Sequence, residues 1–270
     1  MRLCEFDERN TILTDSEEDI LEQITTNASD ACRAMCSGIN LYRGVTGFYD
    51  NYTIVDPTLK KRKSANTHNY YTLMMDNLPS WKGWPKRSRS LICSTSKEKT
   101  REYTEYDFDN GGSYLSIYQV LPFNGAKLAV CPRDDIWESF AKVFGYNMGG
   151  KINGTLVGPL TSARVPATGY RSMMQGIFEN REKIMEFGSF VGYEPPIPRG
   201  KPFWEEVAQT NNILEMISVF NEKLSPEYNN FHLLTSNNQT MLADVYSREV
   251  WTDSKCYLIN VNSNLHRNLL

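Results

Sequence analysis

Short strand-like runs and short helical patterns follow one another along this 270-residue chain without a regular beat. That irregularity constrains the fold most. A doubly wound sheet or a β/α barrel would alternate strand and helix at even spacing. The expected class is therefore α+β. Ile20, Leu21, Ile24, Ala28, Ala31, Ala34 and Met35 recur near helical spacing and predict a helix over 15–38. Asp15 or Ser16 is placed to cap it, Glu17 and Glu18 suit its first turn, and Gly38 suits its end. Ile39 to Val45 reads as a strand, and 68–78 as a second helix ended by Pro79. Strand signals follow at 86–95, 114–121 and 126–131. Asp134 or Asp135 can then cap a helix carrying Ile136, Trp137, Phe140, Val143 and Phe144. Residues 145–200 are broken by Gly and Pro, with 192–198 as a loop or internal linker. Helical spacing returns at 203–224, and strands close the chain at 231–235 and 245–259.

Charge limits the partners. The 29 basic side chains stand against 32 acidic ones, so a nucleic-acid footprint spread over a basic face is excluded and any such contact must be local. The run Lys60-Lys61-Arg62-Lys63 and the pair Arg87 and Arg89 are the local basic features. As alternate residues of a strand, Arg87 and Arg89 would share one face, and Ser88, Ser90 and Ser94 the other. No apolar run reaches the ~18 residues of a membrane span. The acidic N-terminal segment lacks the apolar stretch of a signal peptide. A cytoplasmic protein with no membrane partner is expected. Six cysteines, at 4, 32, 36, 93, 131 and 256, form no C-x-x-C, and the histidines are only His68, His232 and His266. No metal site is expected; the thiols read as reduced core residues, and His68 as a solvated loop residue. Neither G-x-G-x-x-G nor G-x-x-x-x-G-K-[ST] occurs.

Three short segments stand apart: Leu41-Tyr42-Arg43-Gly44 at the end of a predicted strand, Ser94-Thr95-Ser96 at the end of another, and Tyr246-Ser247-Arg248-Glu249-Val250-Trp251 entering the last strands. In this order they resemble the arginine–serine–glutamate clade of ADP-ribosyltransferases, over about 39–259. Glu249 to Ile259 is similar to that family's closing strands. The block Pro85 to Ser94 is similar to one in uncharacterised proteins of large tailed phages. The resemblance implies a single ADP-ribosyltransferase-like domain over 1–270. It would have a split, mixed β-core with surrounding helices and a helical insertion at about 145–230. It implies NAD as substrate, with no metal. Arg43 would take the NAD diphosphate through its bidentate fork, and Gly44 would let the backbone approach. Ser94, braced by Thr95 and Ser96, would bond the catalytic glutamate and the nicotinamide ribose. Glu249 would stabilise the oxocarbenium-like ribose. Tyr70, Tyr71, Tyr103 and Tyr106 are the aromatic candidates for stacking nicotinamide.

Many arginine-modifying members carry Glu-x-Glu, the first glutamate activating the acceptor. Here that acceptor position is Ser247, a poor base for a guanidinium. The expected acceptor is another macromolecule, with nucleic acid favoured slightly over protein. Members of the clade are often toxins or phage and bacterial conflict effectors, which implies a neutralising antitoxin partner. The rival expectations are an NAD glycohydrolase on the same fold and a non-enzymatic phage structural or host-binding protein.

Overall fold

The computed structural model describes residues 16–46, 51–62, 69–102, 115–144, 150–152, 155–189, 201–242 and 247–270. The class is α+β. The chain divides into two compact units, Met1–Arg62 with Trp84–Val130 and Leu233–Leu270, and Lys63–Gly83 with Cys131–His232.

The first unit is built on one sheet. Its strands are β1 (Tyr42–Thr46), β2 (Tyr52–Val55), β3 (Leu91–Ser94), β4 (Leu115–Pro122) and β5 (Lys127–Val130). After β6 (Gly150–Ile152) and β7 (Thr155–Val157), which pair in the second unit, come β8 (His232–Thr235), β9 (Glu249–Thr252) and β10 (Cys256–Asn260). The eight strands lie in the order β2-β10-β4-β1-β3-β9-β5-β8. The pairings from β2 across to β5 are antiparallel, where a mixed core was expected. The sheet also has a seam. β1 runs beside β4 from Tyr42↔Gln119 to Thr46↔Leu115, and β3 beside β9 from Leu91↔Thr252 to Ser94↔Glu249. Between β1 and β3 the described register holds one rung, Tyr42↔Ser94.

Alternation along the strands gives the sheet two apolar faces. Leu41, Val45, Cys93, Tyr118, Val120, Val250, Cys256 and Leu258 belong to one buried cluster. Leu121, Tyr257 and Ile259 meet the helices on the other side. These are α1 (Glu17–Asn27), α2 (Ser29–Cys36) and a C-terminal helix at Asn264–Leu269. The start of α1 is as expected: Ser16 and Asp19 form a reciprocal capping box. The single helix expected over 15–38 is instead broken at Ala28. The cause is Asn124, in the turn between β4 and β5. Its amide nitrogen donates to Thr26 O at 2.8 Å, its backbone N–H to Asn27 O at 2.7 Å, and its side-chain oxygen accepts the Asp30 N–H at 3.0 Å.

The strand expected over 86–95 shortens to β3. Arg87–Arg89 is a 3-10 turn, closed by Arg89 N–H on Lys86 O (2.9 Å) and by the Ser90 hydroxyl on the same oxygen (2.8 Å). Arg87 is buried and Arg89 exposed, so they share no strand face. Of the described cysteines, Cys93, Cys131 and Cys256 are buried, but Cys32 is half-buried and Cys36 exposed, which corrects the all-core expectation.

In the second unit, α3 (Tyr70–Asn77) ends before Pro79 as expected. The expected helical stretch over 203–224 is two helices, Lys201–Ala208 and Ile213–Lys223. Asn212 interrupts it, its side chain accepting the N–H groups of Leu214 and Glu215. Asp135 likewise caps Ile136–Ser139, and Ala141–Phe144 follows as a separate turn of helix. The core is aromatic. Phe140 stacks on Tyr71 (centroids 5.6 Å apart) and meets Phe231 at 5.2 Å, while Phe203 packs edge-on to Phe220 at 5.1 Å. Among the described residues no helix is long and apolar enough to cross a membrane.

Candidate functional site

The three segments singled out in the sequence meet at the seam. Arg43 is on β1, Ser94 ends β3 and Glu249 opens β9, and these strands are neighbours. Ser94 stands directly opposite both Tyr42 and Glu249, so one row crosses the three strands. Arg43 is the next residue after that row. Its Nη1 donates to Ile92 O at 2.5 Å. The guanidinium thus reaches the β3 backbone just where β1 and β3 part. Gly44 beside it is buried.

Ser94, Thr95 and Ser96 all have structural duties. The Ser94 hydroxyl accepts the Ser96 N–H at 3.1 Å, not a contact with Glu249. Thr95 ties the end of β3 to Arg248 twice: its N–H donates to Arg248 O (3.0 Å) and its hydroxyl accepts the Arg248 N–H (2.8 Å). Ser96 caps the helical residues 97–102. Its hydroxyl accepts the Lys99 N–H at 3.1 Å, and its carbonyl takes both the N–H and the hydroxyl of Thr100.

Glu249 is 2% exposed and forms an ion pair with Arg87, itself 4% exposed. Arg87 also lies over the Trp251 ring, 5.3 Å from its centroid. Trp251 is two residues beyond Glu249 on the same strand face, and its indole N–H donates to Pro85 O at 3.0 Å. The turn carrying Arg87 is therefore bolted down on both sides. A carboxylate this buried needs a cationic partner. The sequence carried that signal in Glu249 itself, but nothing local singles out Arg87 among the chain's arginines.

Arg62 is the other residue that sequence reasoning did not place here. Its N–H donates to Ser88 O at 2.6 Å, next to Arg87. Burial, and then the positive charges of Arg87 and Arg43, pull its pKa down to about 9, against the attraction of Glu249. Three guanidinium groups and one carboxylate thus share a small, largely dry volume. The thiol of Cys93 is pushed up to about 12, chiefly by burial, and burial raises Cys256 well above the ordinary thiol range. Neither is a thiolate near neutral pH.

Of the remaining candidates, Ser247 is half-buried, and its hydroxyl reaches no hydrogen-bond partner among the described residues. Tyr70 and Tyr71 are core residues of the second unit, the Tyr70 hydroxyl donating to Val165 O at 2.6 Å. Lys60 and Lys61 are exposed. Lys63, His68, Tyr103, Tyr106 and 192–198 lie outside the described residues. Among the described residues no group of His, Cys, Asp and Glu is placed to hold a metal ion. No protein-family model, curated protein or solved structure matches this chain.

Proposed function

We propose that this protein is an NAD-dependent ADP-ribosyltransferase. The observation that carries the reading is the convergence of Arg43, Ser94 and Glu249, from segments about 50 and 150 residues apart, on three adjacent strands, with Ser94 opposite Glu249. In the reaction the bond from ribose C1′ to the nicotinamide nitrogen breaks. Nicotinamide leaves with the electron pair and becomes neutral, and the ribose becomes an oxocarbenium-like cation. An acceptor nucleophile then bonds to C1′ and gives up its proton. A carboxylate fixed beside the developing cation stabilises it, and Glu249 is the buried carboxylate available. For it to face the ribose, Arg87 must release or share it. Arrival of the diphosphate, whose negative charge competes with Glu249 for the positive field around it, supplies a reason for that change.

The acceptor is a macromolecule, with nucleic acid still ahead of protein because Ser247 offers no carboxylate to activate a guanidinium. Arg87 no longer supports nucleic-acid contact, being buried on Glu249, so exposed Lys60, Lys61 and Arg89 remain the local basic residues. The test is labelled NAD with cell lysate, followed by separate nuclease and protease digestion. Label removed by nuclease identifies a nucleic-acid acceptor, and label removed by protease a protein. Release of free ADP-ribose with no label on a macromolecule would make the protein an NAD glycohydrolase. No turnover and no binding of NAD would sink the enzyme reading and leave a non-enzymatic role.

A further inference from the structure

We propose that Arg62 is the anion receptor of the cluster, making the direct contact to the diphosphate of a nucleotide while Arg43 and Arg87 supply the surrounding positive field. The sequence had assigned that contact to Arg43. In the structure, Arg43 is bonded to the Ile92 carbonyl and Arg87 to Glu249. Among the described residues no hydrogen bond or ion pair reaches the Arg62 guanidinium, although burial takes most of its water away, and Arg62 as a residue is half-buried. Its backbone is fixed, because the Arg62 N–H is bonded to Ser88 O in the turn that carries Arg87.

The electrostatics point the same way. Gathering three guanidinium groups around one carboxylate, out of water, is unfavourable. A bound diphosphate reverses the sign of that balance, and the planar fork of a guanidinium matches two phosphate oxygens at once. Choosing diphosphate over another anion rests on the transferase reading; the anion site itself does not.

The test uses the full chain and three probes: inorganic pyrophosphate, ADP-ribose and NAD. Thermal unfolding and calorimetric binding are measured for the wild type, Arg62→Gln and Arg62→Lys. Pyrophosphate and ADP-ribose are expected to raise the wild-type unfolding midpoint. Arg62→Gln should weaken both by about tenfold or more, the loss of a charge-assisted bond. Arg62→Lys, which keeps the charge and loses the fork, should fall between. Unliganded Arg62→Gln should unfold at or above the wild-type temperature, because it removes a like charge. Equal binding by wild type and Arg62→Gln, or no binding by the wild type, overturns the site. So does an unliganded Arg62→Gln protein that unfolds well below the wild type, which would make Arg62 a structural residue. NAD turnover is read in parallel. Pyrophosphate binding without turnover keeps the site and removes the transferase reading. Turnover without pyrophosphate binding does the reverse.

Discussion

Two buried regions of this molecule are held by opposite means. In the second unit, Tyr71, Trp81, Phe140, Phe144, Phe203, Trp204, Phe220 and Phe231 fill a core ring against ring, and the Trp81 indole N–H donates to Leu224 O at 2.9 Å. At the seam of the first unit, Arg43, Arg87 and Glu249 are buried as deeply with charge, and half-buried Arg62 lies beside them. The aromatic core is a sufficient reason for its own existence, because burial of rings stabilises. The charged cluster is not. A buried ion pair seldom outperforms apolar packing of the same volume, and added like charges make it worse. On the proposed reading the cluster is there for the anion it binds.

The largest test of that contrast is Glu249→Gln. It removes the carboxylate that pairs with Arg87 and leaves that guanidinium buried without its partner, and should cost about 3–5 kcal/mol as well as turnover, read from the denaturant midpoint. Arg87→Gln should cost less, because the charge of Arg62 still acts on Glu249. Equal costs would mean that Arg87 and Glu249 form a private pair. In the aromatic region Phe140→Ala should cost about 3–5 kcal/mol, and that cost should stay flat between pH 6 and 9.

Arg62→Gln sharpens the contrast through pH. The Arg62 pKa is lowered in the folded protein to about 9. The folded state therefore binds a proton there less well than the unfolded state, and a charged Arg62 destabilises the fold at all pH values below about 9. Above that pH the burden lifts as Arg62 loses its proton. The stability advantage of the unliganded variant over the wild type should be full at pH 7 and shrink as pH rises past 9. Denaturant titrations of both proteins at several pH values check this, and an advantage that grows with pH would contradict it. The smallest expected effect is that of Ser96→Ala. It removes the cap on 97–102 and should cost about 1 kcal/mol. NAD turnover should persist, in contrast to Ser94→Ala; equal loss from both would mean that the tripeptide acts as one structural unit.

How legible each region was in the sequence follows the range of the forces involved. Ser16 and Asp135 cap where the sequence put caps, and Pro79 ends α3, because those effects act within one turn of chain. The meeting of Arg43, Ser94 and Glu249 was expected only from a resemblance, since no local pattern pairs β1 with β3 and β9. The break at Ala28 was invisible, because it is imposed by Asn124, nearly a hundred residues away. Arg87 misled for a related reason. Read as one of a strand's alternate residues it shared a face with Arg89; the turn at 87–89 and the buried charge of Glu249 turned it in alone.

The seam has a mechanical meaning. A sheet joined at one described rung passes little torque from one half to the other. The strands β2, β10, β4 and β1 keep their ladders on one side, and β3, β9 and β5 keep theirs on the other. A small rotation about Tyr42↔Ser94 would widen the gap between Arg43 and Ile92 while leaving both sets of ladders whole. Any widening between Arg43 and Ile92 would therefore fall at this joint and leave intact the ladder that holds Ser94 against Glu249.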